Sequence, residues 1–176
     1  MNLNNAGSRV AYCGVMVAAA MILSYVESLI PVPIPIPGIK LGLANLVTIV
    51  TFCSVGKGEA WLISLLRICL SALLFGNLYS WIFSMAGGIC SLLFMTLAVS
   101  WNRFSVTGVS IVGGVMHNIG QTVAAACLLN AAMIMGYIPV LIAAGIVCGA
   151  VIGLLGHIII GRIGTHILTG GRHKNE

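Results

Sequence analysis

Pro31-Val-Pro-Ile-Pro-Ile-Pro37-Gly38-Ile-Lys40 decides the fold of this chain, because it interrupts a sequence that otherwise has the pattern of membrane helices. Proline lacks the backbone N–H that a helix needs, and its ring holds φ near the polyproline value. Irregular backbone exposed to lipid is very costly, so this segment must be buried in protein, line a cavity or lie at the membrane surface. It predicts either a lid over a site or an interfacial turn between two helices.

The composition predicts an integral membrane protein. Hydrophobic residues make up 60% of the 176 positions, charged residues make up 6%, and aspartate is absent. Soluble domains carry about a quarter charged residues, and a membrane helix needs about 20 apolar residues. We therefore expect an all-α bundle of six transmembrane helices in a single membrane domain, residues 1–176. The predicted helices are about 10–30, 41–56, 60–76, 79–100, 108–131 and 138–161, and residues 164–176 form a cytoplasmic tail.

The basic residues predict the orientation of this bundle. Those at the predicted inner ends of the helices are Arg9, Lys57, Arg103, Arg162, Arg172 and Lys174. The predicted outer side holds only Lys40, which gives a clear positive-inside bias. We expect a multi-pass protein of the cell membrane with both termini in the cytoplasm. The net charge of +5 is explained by this topology and does not indicate nucleic acid binding.

Arg67 is the most informative single residue, because it lies inside the third predicted span. A cation at that depth costs at least about 2.5 kcal/mol unless it finds a partner. Ser64 and Ser71 recur with it at helical spacing, so this face should look into the bundle. Three interpretations stay open. Arg67 contacts an anionic ligand, pairs with Glu27, or extends its side chain toward the cytoplasmic surface.

Other polar residues are concentrated on single faces of the second and fifth spans. Such residues serve either as hydrogen-bonding contacts between helices or as the lining of a cavity, and several on one face favour the cavity. At the start of the second helix the helix dipole favours an anion beside Lys40. We expect five residues to contact one polar ligand beneath the segment 31–38: Lys40, Asn45, Arg67, His117 and Gln121.

Small residues supply faces on which helices can approach closely. The first helix carries Ala11, Gly14 and Ala18 on one stripe, for which we favour contact with a partner protein. The sixth helix carries Gly145-x3-Gly149-x3-Gly153, for which we favour packing within the bundle.

The sequence predicts no metal site, no cofactor and no catalytic centre. The six cysteines and four histidines are dispersed, without the spacing of metal ligands. The three carboxylate side chains, Glu27, Glu59 and Glu176, are far apart in the chain. No Walker A string is present, so any ATP hydrolysis must come from a partner.

The chain resembles the Gx transporter family, whose members are often labelled heptaprenyl diphosphate synthase component I. The resemblance rests on Pro35-Ile-Pro37-Gly38-Ile-Lys40-Leu-Gly42-Leu-Ala-Asn45, on Arg67, on Ala86-Gly87-Gly88 and on His117-Asn118-Ile-Gly120-Gln121. It covers roughly residues 10–165. This family is related to the substrate-binding S components of energy-coupling factor (ECF) vitamin transporters.

The resemblance implies a six-helix bundle of S-component type, with a pocket in the outer half of the membrane and a proline-rich lid loop between helices 1 and 2. It also implies docking on a transmembrane coupling subunit driven by two cytosolic ATPases. S components often dock through an Ala-x3-Ala motif in the first helix. Gly14-x3-Ala18 matches that motif in part, and the bulky Ile22 follows on the same stripe.

Two functions other than the importer role stay open, and an enzyme activity is not expected. Prenyl diphosphate synthases bind magnesium-diphosphate through clustered aspartates, which this chain lacks, so an enzyme is not expected. A non-catalytic membrane component beside heptaprenyl diphosphate synthase, serving isoprenoid-quinone biosynthesis, stays open, as does a self-sufficient carrier or channel. The expected substrate is a small polar or anionic molecule, such as a vitamin or an isoprenoid-quinone precursor.

Overall fold

A computed structural model shows a chain made of helices. The structure describes residues 6–29, 42–129 and 132–163, and no strand occurs among them. The helices are α1 (Ala6–Leu29), α2 (Leu43–Ser54), α3 (Lys57–Phe75), α4 (Leu78–Ser100), α5 (Val106–Leu129), a 3₁₀ helix (Ala132–Tyr137) and α6 (Ile138–Ile163). The predicted all-α class and the order of six helices are confirmed. The predicted lid at 31–38, Lys40 and the predicted tail 164–176 lie outside the described residues.

Five of the described helices are long and apolar enough to cross a membrane, namely α1, α3, α4, α5 and α6. The fifth of these spans includes part of the 3₁₀ helix, from Ile134 to Arg162. The helix α2 is apolar but has 12 residues, about 18 Å at 1.5 Å per residue. The structure therefore supports a multi-pass membrane protein, and the count of six spans stays a prediction.

Contacts at both ends of α1 show how the first three helices run. At one end Arg9 forms an ion pair with Glu59 in the first turn of α3. At the other end an oxygen of Glu27 accepts a hydrogen bond from the backbone N–H of Gly42, which directly precedes α2, at 2.6 Å. The starts of α1 and α3 therefore lie together, and α2 returns the chain between them.

The second helix forms the centre of the bundle. It contacts α1, α3, α5 and α6, and most of its side chains are buried. Ile49 and Phe52 belong to a cluster that also includes Leu92 of α4 and Ile152 of α6. This central position explains how an apolar helix too short for a typical span is accommodated, because protein rather than lipid surrounds most of it.

Glycines let α5 and α6 approach each other closely. A Cβ built on Gly149 would lie 2.7 Å from the Cα of Ile111, and one built on Gly153 would lie 2.6 Å from the Cα of Thr107. Real Cβ atoms do not come so close to backbone, so any side chain at these positions would push the helices apart. The glycine stripe of the sixth helix therefore packs within the bundle, as we expected.

The orientation of α3 can be tested by labelling cysteines from outside intact cells, in a background without the native cysteines. Because the positive-inside bias puts the start of α3 in the cytoplasm, Lys57→Cys should stay unlabelled. Tyr79→Cys, at the exposed start of α4 on the opposite side, is the matched control and should be labelled. The reverse pattern would mean that the predicted topology is wrong.

Candidate functional site

The guanidinium of Arg67 projects into the bundle and is poorly satisfied there. Its Nη1 lies 3.4 Å from the Oγ of Ser24, a long contact for a hydrogen bond. Its Nε is buried and has no hydrogen-bond partner. Because Ser24 lies toward the end of α1, Arg67 points away from the end of the bundle where α3 begins. The side chain therefore does not extend to the predicted cytoplasmic surface, which removes one of the three interpretations above.

Glu27 does not neutralise Arg67 by direct contact. Within the described part of the chain, the one salt bridge joins Arg9 and Glu59. Glu27 instead accepts the hydrogen bond from Gly42, whose φ of 75° lies in the left-handed region that glycine adopts readily. The carboxylate thus lies at the N-terminus of α2, where a negative charge is favoured. An ion pair between Glu27 and Arg67, one of the three interpretations left open by the sequence, is therefore not formed.

A small polar cavity at the middle of the bundle brings three of the predicted site residues together. Asn45 of α2, Arg67 of α3 and His117 of α5 all line it, and its volume is about 40 Å³. The other polar residues in its wall are Glu27, Ser110 and Asn118. One cation, one carboxylate, an imidazole, two amides and a hydroxyl therefore surround a space that has room for water or a small polar group.

Glycines form much of the remaining wall of this central cavity. Gly113 and Gly114 of α5 and Gly145 and Gly149 of α6 all line it. Gly87 of α4 packs against His117 from outside this wall, since an added Cβ would lie 2.7 Å from the backbone oxygen and 3.2 Å from the Cε1 of His117. Because glycine carries no side chain, the polar groups of α1, α2, α3 and α5 define the chemistry of the cavity.

A second cavity shares Arg67 and Glu27 with the first and extends along α1, α3 and α4. Its volume is about 140 Å³, and serines recur in its wall: Ser24, Ser28, Ser71, Ser80 and Ser84. Hydroxyl groups both donate and accept hydrogen bonds, so they suit a polar ligand of either character. Arg67 thus stands between a central cavity rich in amides and an adjoining cavity rich in hydroxyls.

The structure separates Gln121 from the other predicted site residues. Gln121 lines a third cavity, between α4, α5 and the 3₁₀ helix, and does not line the central one. Lys40 lies outside the described residues. The sequence prediction also missed Ser24 and gave Glu27 only the role of an ion-pair partner. Their i, i+3 spacing places both on one face of α1, which was the available signal.

The small-residue stripe of α1 lies on the outside of the bundle. Among the described helices α1 contacts α2 and α3, and Ala20 is its one buried residue. Ala11, Gly14 and Ala18 are all exposed, and a Cβ built on Gly14 would meet nothing within 4 Å. A groove of about 580 Å³ runs beside Gly14 between α1 and α3, with Arg9 and Glu59 at one end.

The arrangement around Arg67 suits binding. No group of three metal-ligating side chains gathers among residues 6–29, 42–129 and 132–163. A partly unsatisfied guanidinium beside amides, an imidazole and hydroxyls can bind an anionic or strongly polar group, since charge-assisted hydrogen bonds are the stronger kind. The carboxylate of Glu27 in the same wall accepts the hydrogen bond from Gly42.

Comparison with known proteins gives one result. A family model described as heptaprenyl diphosphate synthase component I matches residues 16–159, which cover all of the central cavity and most of α1. No curated protein and no solved structure matches the chain.

Proposed function

The chain belongs to the heptaprenyl diphosphate synthase component I family, and within that family we propose that it is the substrate-binding subunit, or S component, of an energy-coupling-factor-type importer. The observation that carries this proposal is Arg67. A buried guanidinium whose Nε has no partner, and which forms no ion pair with Glu27, is costly unless a ligand supplies the missing acceptor.

The chemistry around Arg67 indicates the class of ligand. Asn45 and His117 can hydrogen-bond an anionic or strongly polar group beside the guanidinium. Small-molecule sites usually measure about 300–1,000 Å³, more than the central cavity offers. A ligand the size of a vitamin or an isoprenoid-quinone precursor would therefore occupy the central and serine-lined cavities together and displace side chains between them. We expect Lys40 and the segment 31–38 to close over it.

The exposed stripe of α1 supports docking on a transmembrane coupling subunit. Ala11, Gly14 and Ala18 leave the backbone of α1 open to close approach, and small residues are typical of helix–helix contacts in membranes. The groove beside Gly14 lies in the predicted cytoplasmic half, nearest to the cytosolic ATPases that such a subunit would bring. Because the chain has no ATP-binding motif, the energy for import would come from those partners.

A second candidate function follows from the description of the family. The chain would then be a non-catalytic membrane component that works beside a soluble heptaprenyl diphosphate synthase. Without aspartate the chain cannot form the carboxylate clusters that hold magnesium-diphosphate, so the partner would carry the chemistry.

Copurification separates the two functions. The tagged protein, extracted in mild detergent, is expected to bring a membrane coupling subunit and ATPases, and native mass spectrometry should detect a retained polar or anionic small molecule. Recovery of an aspartate-rich soluble synthase in their place, with no small molecule bound, would contradict the importer proposal and support the second function.

The proposed docking surface on α1 leads to a separate prediction. Gly14→Leu should abolish copurification of the coupling subunit and leave ligand retention unchanged, because the added bulk prevents close helix approach while nothing inside the bundle is displaced. Gly161→Leu is the matched control, since it makes the same exchange at an open position on α6. Loss of ligand as well as partner in Gly14→Leu would show that the stripe matters to the bundle itself.

A further inference from the structure

The cavity that holds Gln121 is separate in chemistry from the cavities around Arg67. Its volume is about 280 Å³, and it lies between α4, α5, the 3₁₀ helix and the start of α6. Every described residue in its wall is uncharged, and Phe83, Leu129 and Leu141 give it apolar surface. Tyr79 and Leu129 at its edge are exposed, so a ligand could enter between them. These features favour a neutral ligand with an apolar body.

Three of the polar side chains in this wall already form hydrogen bonds within the protein. The Nδ2 of Asn118 donates to the backbone oxygen of Leu141 at 2.8 Å. The hydroxyl of Thr122 donates to the backbone oxygen of Asn118 at 2.7 Å. The Oδ1 of Asn77 accepts from the backbone N–H of Ser80 at 2.8 Å. The bond from Asn118 joins α5 to α6, and the other two lie within α5 and at the start of α4.

Gln121 differs from these three residues, because its buried oxygen is not satisfied by the protein. It is 6% exposed, and its Oε1 is buried without a hydrogen-bond partner. A buried acceptor that lacks a donor costs about 1–3 kcal/mol of stability. Packing alone therefore does not explain a glutamine at this position. An apolar residue of similar shape would fill the same position at lower cost.

We propose that this cavity is a second ligand site, independent of Arg67, that takes a compact neutral molecule with an apolar or aromatic body and one N–H or O–H donor directed at the Oε1 of Gln121. An apolar cavity of about 150 Å³ already binds benzene. The space here therefore accepts a ligand of one or two fused rings, and the ring of Phe83 offers an aromatic contact for it.

Indole and indene provide a matched pair of probes, because they share a shape and differ in the N–H donor. Binding is measured by equilibrium dialysis against the full chain in lipid nanodiscs. Ala125→Phe fills the cavity and therefore measures how much probe binds elsewhere. Ala124→Phe adds the same bulk at the neighbouring position, outside the cavity, and is the control. Wild type is expected to bind indole about three- to ten-fold more tightly than indene, the size of one neutral hydrogen bond.

Two further variants decide the assignment. Gln121→Met should still bind indene and should lose the preference for indole, and Arg67→Met should leave both affinities unchanged. Equal affinity of wild type for the two probes, or indole binding that survives Ala125→Phe, would overturn the proposal even if Gln121→Met failed to fold. Loss of indole binding in Arg67→Met would show that the two sites are one.

Discussion

Arg67→Met is expected to weaken binding of the retained ligand by about 1.5–3 kcal/mol, the range for hydrogen bonds to charged groups, or roughly 10- to 150-fold in dissociation constant. Methionine keeps much of the apolar stem and removes the charge. Arg67 makes one long hydrogen-bond contact, to Ser24, and no ion pair within the described residues. Removing the guanidinium should therefore cost the folded protein little stability. The melting temperature should therefore stay near that of wild type or rise, since a costly buried cation is gone.

Arg9→Met is the matched control for this experiment. Arg9 carries the same side chain but pairs with Glu59 near the start of α1 and lines neither cavity around Arg67. Its replacement should leave the ligand affinity of the isolated subunit unchanged. A different outcome, in which Arg67→Met binds ligand normally and unfolds readily, would show that Arg67 has a structural role and would remove the support for the binding site.

Gly153→Ala is expected to destabilise the bundle by about 1–3 kcal/mol, the usual cost of overpacking. The added methyl group would lie 2.6 Å from the Cα of Thr107 and 2.9 Å from the Cβ of Ser110, and a backbone contact of this kind cannot be relieved by a rotamer change. Unfolding in mixed micelles measures the effect. Gly153 lies outside the central cavity wall, so a loss of stability would not be confused with a change in bound ligand.

Gly161→Ala isolates the packing contribution. Both glycines are on α6, so both exchanges gain the same helix propensity, but a Cβ at Gly161 would meet nothing within 4 Å. This control should be neutral or slightly stabilising. If the two variants unfolded alike, the close approach of α5 and α6 would not be the source of stability that the structure indicates.

The difference between α6 and α1 connects these predictions to function. On α6 the small residues are covered by α5, which fixes one wall of the central cavity. On α1 the small residues are exposed, and the helix contacts only α2 and α3 among the described helices. In the proposed importer α1 would therefore have two roles. Its exposed face would contact the partner, while Ser24 and Glu27 line the cavities around Arg67.

The sequence by itself determined the class of the protein and the residues worth testing. Apolar runs predicted the six α-helices to within a few residues, because a long apolar run marks a membrane helix without tertiary information. They did not predict the 3₁₀ helix. Arg67 was identified in the same way, since a cation inside an apolar run is costly whatever surrounds it. Gly145-x3-Gly149-x3-Gly153 and Ala11, Gly14 and Ala18 were identified by spacing along single helices.

Only the tertiary structure decided which of these faces meet. Helical spacing places His117 and Gln121 on one face of α5, and Gly87 of α4 lies close to both. They still line different cavities, because α2 and α3 contribute to the wall around His117, whereas α4 and the 3₁₀ helix contribute to the wall around Gln121. Glu27 contacts Gly42 rather than Arg67 because α1 ends beside the start of α2. The periodicity of a sequence describes one helix at a time, and the partner of each polar group depends on how the helices pack around it.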